Sequence, residues 1–390
     1  MRKRIFVFAG TYTEDIRFGT GAVLRGKGEG VYVYALEPES GRLEPIALNS
    51  GVANPSYLCL TRDSRFLYAV NELKSHGGEA TGTVSAFAVD PESKKLRLLD
   101  RRPTRGTDPC HVALNAAETH VFTSNFGSGS VVAHRRLSDG SLGEETGFVQ
   151  HRGSGPDPVR QAGPHAHSLA MDPADRHALV PDLGLDRVMI YRFDPGRGRL
   201  EPADPPHFQA RPGSGPRHLE FHPNGRFAYL ANELASSVTA FRYRDGVLEE
   251  LETRSSLPEA GFPGNTCADL HLAPDGKFLY ASNRGHDSLA VFAVDRKSGR
   301  LRPVGHPASG GKTPRNFAIA PSGRHLLAAN QDSGDIVVFA RDPATGGLTG
   351  KLGRYAIPTP ACLKFAVFEE ISALDVIYAI ESIVHPLTHL

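Results

Sequence analysis

The stretch Gly215-Pro-Arg-His-Leu-Glu-Phe-His-Pro-Asn-Gly-Arg-Phe-Ala-Tyr-Leu-Ala-Asn-Glu233 contains two short apolar runs joined by a tight turn. Pro223 pre-sets the backbone dihedral of the turn, and Gly225 accepts a positive φ there. Both runs have the length of β strands and contain aromatic residues that strands favour. This pattern predicts a β-hairpin whose two outer ends carry Arg217 and Glu233.

Near-copies of this hairpin recur along the chain and decide its fold. The first run starts at residues 55, 109, 166, 216, 267 and 314, and an Asn or Asp stands sixteen residues after each start. A third run follows, as at Val238-Thr-Ala-Phe, and then a fourth marked by Gly-Arg-Leu or a relative, as at Gly198 and Gly299. Four strands in each period of 44 to 57 residues, without sustained helical periodicity, predict an all-β propeller of four-stranded antiparallel blades.

A seventh unit is divided between the two ends of the chain. Ile5-Phe-Val-Phe-Ala, Val31-Tyr-Val-Tyr and Gly41-Arg-Leu match the second, third and fourth runs, and Pro358–Phe365 supplies the missing first run. We therefore predict one domain over residues 1–368, a seven-bladed β-propeller whose N- and C-terminal strands share one blade. Residues 369–390 fit no repeat, and we predict for this tail either one amphipathic helix or no regular structure.

The composition limits the possible partners. Lys and Arg number 44 against 43 Asp and Glu, which gives a formal net charge of +1. So neutral a chain has no general attraction to nucleic acid or anionic membranes. The apolar run after Met1-Arg-Lys-Arg is too short for a signal peptide, and none is long enough to span a bilayer. We predict a cytoplasmic protein, monomeric or weakly dimeric, with its four cysteines reduced.

Chemically active residues occupy equivalent positions in the hairpins. In a blade, the start of strand one and the end of strand two lie at the same face of the ring. The strand-one position carries His167, Arg217 and Arg315, and the position just past strand two carries Glu72, Phe126, Leu183, Glu233, Arg284 and Gln331. We expect Glu233 to lie close to Arg217, with His167 and Arg284 facing it from the neighbouring blades. A concave site that contains two arginines, a histidine and a glutamate suits a small anionic molecule.

Other interpretations of these residues remain open. The charges could form an ion-pair network that plugs the channel. Asp182, Asp269, Asn232 and Asn283 could supply oxygen ligands for calcium, although neighbouring arginines would oppose a cation. No Gly-x-Ser-x-Gly motif and no cysteine obviously paired with histidine supports a nucleophile. At the opposite face, His177, His222 and His325 flank the turns, where we expect them to be solvated.

Several motifs carry a family resemblance over about residues 5 to 368. Gly163-Pro-His-Ala-His-Ser, Asp182-Leu-Gly-Leu-Asp-Arg-Val, Gly215-Pro-Arg-His, Ala231-Asn-Glu-Leu and Ser282-Asn-Arg-Gly-His-Asp-Ser resemble bacterial 6-phosphogluconolactonases of the seven-bladed propeller type. That family is similar to the fungal carboxy-muconate cyclase. The suspected active-site residues of the cyclase match His167 (or His165), Arg217, Arg284 and Glu233 in this sequence. The tail after Phe368 departs from the family's usual ending.

The resemblance implies hydrolysis of 6-phosphogluconolactone in the pentose phosphate pathway, with no metal or organic cofactor. We assign catalysis to His167, Glu233 and Arg217: His167 or Glu233 as general base, and Arg217 as the group that stabilises the oxyanion or holds the carbonyl. Substrate-binding residues in this hypothesis are His165, Arg284, Arg315, Asp182 and Asn283, with Arg284 and Arg315 on the phosphate. Two alternatives remain: a lactone-forming or isomerising enzyme of the cyclase type, and a non-catalytic interaction platform.

Overall fold

The structure is a computed structural model that describes residues 2–17, 21–259 and 261–370. In this part of the chain the regular elements are all β strands. The first fifteen are β1 (Arg2–Thr11), β2 (Ile16–Arg17), β3 (Val23–Leu24), β4 (Gly30–Leu36), β5 (Leu43–Ser50), β6 (Leu58–Leu60), β7 (Phe66–Asn71), β8 (Thr83–Val89), β9 (Leu96–Pro103), β10 (Pro109–Leu114), β11 (His120–Asn125), β12 (Ser130–Arg136), β13 (Leu142–Gln150), β14 (Ala170–Met171) and β15 (His177–Asp182). The others are β16 (Arg187–Asp194), β17 (Arg199–Gln209), β18 (Pro216–Phe221), β19 (Phe227–Asn232), β20 (Ser237–Arg244), β21 (Val247–Ser255), β22 (Thr266–Leu272), β23 (Phe278–Arg284), β24 (Ser288–Val294), β25 (Leu301–Gly305), β26 (Pro314–Ile319), β27 (His325–Asn330), β28 (Asp335–Arg341), β29 (Leu348–Ala356) and β30 (Pro360–Glu370). None of the described residues forms a helix that could cross a membrane.

These strands form seven four-stranded antiparallel sheets, so the predicted propeller is confirmed. Blade 1 has the order β30-β1-β4-β5, and blades 2 to 7 use β6–β9, β10–β13, β14–β17, β18–β21, β22–β25 and β26–β29 in chain order. The short hairpin β2-β3 is a separate sheet in the connection between β1 and β4.

Blade 1 is closed by strands from both ends of the chain, as predicted. β30 pairs antiparallel with β1 from Arg2 opposite Glu370 to Thr11 opposite Pro360. The strand therefore continues two residues past the predicted domain boundary at 368. The rest of the predicted tail, residues 371–390, lies outside the described residues.

The inner hairpins have the predicted register together with an irregularity that the repeat did not show. Pro216 pairs with Asn232, sixteen residues later, but the next pair is His218 with Ala231, so Arg217 is the extra residue of a β-bulge. The same shift occurs at Cys110 in β10 and at Arg315 in β26. Bulges redirect side chains and often lie beside active sites.

Neighbouring blades are joined by repeated contacts between a glycine and a ring. Gly299, in the β24–β25 turn, has a φ of +77°, and a Cβ there would lie 2.4 Å from the Phe227 ring of the preceding blade. Only glycine fits both the conformation and the close approach. Equivalent contacts join Gly140 to Phe66, Gly198 to His120, Gly246 to His177, Gly346 to Phe278 and Gly41 to His325.

These contacts correct one expectation. His177, His222 and His325, which we expected to be solvated, are buried, with relative exposures of 9%, 2% and 4%. All three lie beneath turn glycines of the next blade, and Nε2 of His222 lies 3.1 Å from the Gly276 carbonyl oxygen. The expectation was wrong because contacts between blades cannot be read from a single hairpin.

Candidate active site

A cavity of about 280 Å³ lies at the face of the ring where the inner strands begin. This volume is near the small end of ligand pockets and suits a molecule of sugar size. The cavity is lined by residues from the strand ends and from one insert, namely Glu72, Cys110, Phe126, Arg160, His167, Glu233, Thr266, Arg284, Thr313, Arg315, Gln331 and Asp332.

Glu233 is the centre of an ion-pair cluster in this cavity. Its Oε2 atom accepts from Arg217 Nε at 2.9 Å and lies 3.0 Å from Arg284 Nη2. Its Oε1 atom accepts from Arg160 Nη2 at 2.5 Å. His167 Nε2 lies 3.9 Å from Oε2. The structure thus brings together the four residues that the register predicted to converge, and it adds Arg160.

Three guanidinium groups around one carboxylate determine its charge. Burial alone would raise the pKa of Glu233, but Arg284, Arg160 and Arg217 outweigh it and hold the pKa well below its usual range. A carboxylate so strongly paired is a poor general base. The geometry therefore favours His167 over Glu233 for that role. The ion-pair network that we considered as a plug of the channel is present, but it does not fill the cavity that lies beside it.

Arg217 lies behind Glu233 rather than in the wall of the cavity. The residue has a relative exposure of 2%, and its Nη1 atom donates to the Ala268 carbonyl oxygen at 2.5 Å. Direct contact with a substrate carbonyl, which we had assigned to Arg217, is not available in this geometry. Arg284, at the end of β23, does line the cavity beside Glu233.

His167 is placed to act as a neutral base. Burial, with Arg217 and His218 nearby, lowers the pKa of His167 well below that of an ordinary histidine. The Cys110 thiol lies 3.3 Å from the His167 carbonyl oxygen, to which it can donate, and its sulfur lies 3.7 Å from His167 Nδ1. A proton on Nδ1 can then face the sulfur, which leaves the lone pair on Nε2. Burial also raises the pKa of the Cys110 thiol, so it is not an activated nucleophile.

A second group beside the cavity consists of Glu72, Tyr12 and Arg315. Tyr12 donates to Glu72 Oε2 at 3.0 Å, and the Arg315 guanidinium lies 5.3 Å from the Tyr12 ring centroid. Burial raises the pKa of Glu72, although Arg315 opposes the shift. Two of the carboxyl groups that line the cavity are therefore in opposite environments, with the pKa of Glu233 lowered and that of Glu72 raised.

Three substrate-binding predictions fall outside the wall of the cavity. Asp182 and Asn283 are wholly buried. Asp182 accepts from the backbone N–H of His165 at 2.8 Å and lies 2.6 Å from His151 Nδ1, while Asn283 bonds to Ser256. His165 stacks on Phe126 at 4.4 Å between ring centroids. We therefore correct the assignment of Asp182 and Asn283 from substrate binding to a structural role. Their side chains form hydrogen bonds with neighbouring loops and do not face the cavity.

The calcium interpretation finds no geometric support. Asp182, Asp269, Asn232 and Asn283 have separate sets of hydrogen-bond partners in three blades. Over residues 2–17, 21–259 and 261–370, no group of three or more His, Cys, Asp or Glu side chains is placed to hold a metal ion.

Sequence reasoning missed Arg160, Gln331, Asp332 and Thr313 as parts of the site. Arg160 lies in the insert 153–163, which is not part of the repeat, so no register could place it. Asp332 accepts from Thr313 Oγ1 at 2.5 Å and from Gln331 Nε2 at 2.8 Å. Thr313 precedes the hairpin β26–β27 that carries Arg315, and Gln331 and Asp332 follow it. The place of Gln331 in the register was the available signal.

The sequence profile of the family described as "Lactonase, 7-bladed beta-propeller" matches residues 6–365. The chain belongs to this family. The lactonase is also 33% identical over 347 residues to the 6-phosphogluconolactonase of Bacillus subtilis, an alignment that covers 88% of this chain and 97% of the relative. A 6-phosphogluconolactonase of Formosa agariphila is 32% identical, with 80% and 85% covered.

A solved structure supports the same conclusion. The periplasmic gluconolactonase of Pseudomonas aeruginosa superposes on the lactonase with a TM-score of 0.86 at 36% identity, covering 94% of this chain and 99% of that one. Family membership confirms the predicted enzyme class, an ester hydrolase that acts on lactones.

The low pKa of His167 predicts an unusual pH profile for this lactonase. A general base must be unprotonated, and a lowered pKa keeps His167 neutral well below pH 6.5. We expect kcat/KM at pH 6 to stay within about twofold of its value at pH 7.5. Initial rates in a pH-stat, corrected for spontaneous ring opening, measure this. An acid limb with its midpoint near 6.5 would argue against a buried neutral base.

Proposed function

We propose that this lactonase hydrolyses 6-phosphogluconolactone to 6-phosphogluconate. One observation carries the proposal: three guanidinium groups surround the single carboxylate of Glu233, two of them in the cavity wall, so the cluster keeps two uncompensated positive charges. A phosphorylated sugar lactone supplies a phosphate dianion and a developing oxyanion to such a site. The two relatives named 6-phosphogluconolactonase agree with this substrate.

The proposed reaction uses His167 as the general base. His167 Nε2 takes a proton from a water whose oxygen attacks the lactone carbonyl carbon, and the proton is returned to the ring oxygen when the C–O bond breaks. The new carboxylic acid then ionises and releases one proton to solvent. The enzyme needs only to hold the water and the ester in the correct relative position, because a cyclic ester is already reactive.

The guanidinium groups divide the negative charge between them. We assign the oxyanion to Arg284, since it is fixed at the end of β23 and lies beside the Glu233–His167 pair. Arg160, from the insert, and Arg315 hold the phosphate. Gln331, Thr313 and Asp332 provide polar groups for the sugar hydroxyls, and the amide oxygen of Gln331 has no hydrogen-bond partner among the described residues.

A second candidate substrate is the unphosphorylated glucono-lactone, after which the Pseudomonas aeruginosa relative is named. Both substrates share the ring and its hydroxyls, so only the phosphate contacts distinguish them. The cytoplasmic location, the pentose phosphate pathway and the monomeric or weakly dimeric state belong to the first proposal and stay predictions.

Substrate competition tests the proposal. We expect kcat/KM for freshly made 6-phosphogluconolactone to exceed that for glucono-lactone by at least about 100-fold, because charge-assisted contacts to phosphate are strong. Arg160→Met should reduce this ratio by about tenfold or more and leave the rate with glucono-lactone almost unchanged. Arg192→Met, which alters an exposed pair with Glu201, is the matched control and should change neither rate.

Three outcomes would redirect the assignment. A ratio near one would favour the unphosphorylated substrate. Rates no better than buffer with both lactones, together with activity on a carboxylated diene acid, would favour the cyclase-type alternative. An unchanged ratio in Arg160→Met would remove Arg160 from the phosphate site.

A further inference from the structure

A continuous chain of buried polar groups continues behind Arg217, away from the cavity. Arg217 Nη1 lies 3.1 Å from His218 Nε2, and His218 Nδ1 lies 2.7 Å from Asp269 Oδ1. Asp269 Oδ2 lies 2.9 Å from His271 Nε2, and His271 Nδ1 lies 3.0 Å from Glu220 Oε2. These groups therefore connect the Glu233 cluster to the partly exposed carboxylate of Glu220. No step of the proposed reaction uses them.

The chemistry of the partners fixes the tautomer of His218. A guanidinium has only donors, so the Nε2 atom that faces Arg217 must be an acceptor. A carboxylate has only acceptors, so the Nδ1 atom that faces Asp269 must carry the proton. His218 is then a neutral imidazole held at both nitrogens. Burial together with Arg217 lowers the pKa of His218 to about 4, against the pull of Asp269, which agrees with this neutral form.

Asp269 is itself held from several directions. It accepts from Asn316 Nδ2, and its backbone N–H donates to Ser282 Oγ at 2.9 Å. Asn316 Oδ1 accepts in turn from the backbone N–H of Leu363 in β30 at 2.7 Å. These contacts join blades 5, 6 and 7 to the closing strand. Because Asp269 is anchored by three elements, it can fix His218 more rigidly than a side chain at a strand end could fix itself.

We propose that His218 and Asp269 are positioning residues that orient the Arg217 guanidinium and, through it, the Glu233 carboxylate and Arg284. The inference rests on the proposed function of the Glu233–Arg284 pair. Arg217 donates hydrogen bonds to three acceptors, and the one to His218 fixes the orientation of the guanidinium plane. Without that hydrogen bond Glu233 and Arg284 shift together, and misplacement of about 1 Å can cost on the order of 100-fold in rate.

Two isosteric substitutions separate positioning from packing. The Oε1 atom of glutamine in His218→Gln can occupy the place of Nε2 and accept from Arg217. The amide of asparagine in His218→Asn occupies the place of Nδ1 and donates only toward Asp269. Positioning predicts that His218→Asn loses about 10- to 100-fold in kcat with little change in KM, and that His218→Gln recovers most of that loss. A purely structural role, which is to satisfy buried Asp269, predicts the reverse order.

Double mutants complete the test. In an Arg217→Ala background, His218→Asn should have no further effect on kcat, because the two residues act in one pathway. An undiminished effect there, or equal activity of the Asn and Gln variants, overturns the inference. Full activity of Arg217→Ala alone would overturn it as well, whereas wild-type rates no better than buffer with both lactones would overturn the proposed function. His134→Asn, which replaces a buried histidine of β12 outside the chain of polar groups, controls for lost stability, and thermal unfolding of each variant confirms that it is folded.

Discussion

Replacing Glu233 by glutamine should destabilise the lactonase by about 3 kcal/mol and remove most of its activity. Removing one partner from a buried ion pair is costly because it leaves the opposite charge uncompensated. Arg160 and Arg284 have partly exposed side chains and can turn toward the cavity, but Arg217 is only 3% exposed and stays buried with neutral partners. Urea unfolding at pH 7.5 measures the loss.

The pH dependence of this difference has a definite sign. The folded-state pKa of Glu233 lies well below the ordinary value of 4.5, so its stabilising contribution is present above pH 4.5 and is lost as the pH falls further. The gap between wild type and Glu233→Gln should therefore shrink as the pH is lowered from 4.5. Glu249→Gln, in an exposed pair with Arg242, should stay within about 0.5 kcal/mol of wild type. Equal unfolding midpoints for wild type and Glu233→Gln would contradict the central role of Glu233.

Arg284→Met should lower kcat by about 10²- to 10³-fold with almost no change in stability. The fall in rate is the typical effect of removing one donor from a developing oxyanion. Stability is preserved because Glu233 keeps Arg160 and Arg217 as partners. The Cys267 carbonyl oxygen loses its hydrogen bond from Arg284 Nη2, a small cost beside an open cavity. Steady-state kinetics and thermal unfolding of the same preparation measure both effects.

The contrast between the two substitutions is the informative result. Glu233→Gln should affect rate and stability, whereas Arg284→Met should affect rate alone. Arg354→Met, which removes an arginine paired with Asp335 outside the cavity, should leave kcat unchanged. A kcat for Arg284→Met within tenfold of wild type would transfer the oxyanion role to another cavity donor.

The sequence was sufficient for the ring and for the centre of the site. Pro216 and Asn232, which the repeat places sixteen residues apart, form a cross-strand pair. The same register brings together His167, Arg217, Glu233 and Arg284. Repetition made this possible, because six copies of one hairpin define equivalent positions in space even without an atomic structure.

The burial of each side chain, and whether it reaches the cavity, could not be predicted in the same way. Hydrogen bonds to Glu233 and to the Ala268 carbonyl oxygen hold Arg217 behind Glu233, and loop hydrogen bonds hold Asp182 and Asn283 away from the cavity, although all three occupy the positions that suggested a role. Arg160 was missed for the opposite reason, since it belongs to an insert with no repeat. Periodicity predicts where a backbone lies, while local hydrogen bonds and inserts decide what a side chain reaches.

The bond from Leu363 to Asn316 connects the closure of the ring to the order of the site. β30 and β1 are far apart along the chain, and contacts of such high sequence separation are the slowest to form during folding. Until they form, both strands expose unpaired edges that invite aggregation. Asn316 and Asp269 would lack their anchor in the same interval. The lactonase should therefore gain activity late and all at once, as one cooperative unit with its last strand, rather than blade by blade.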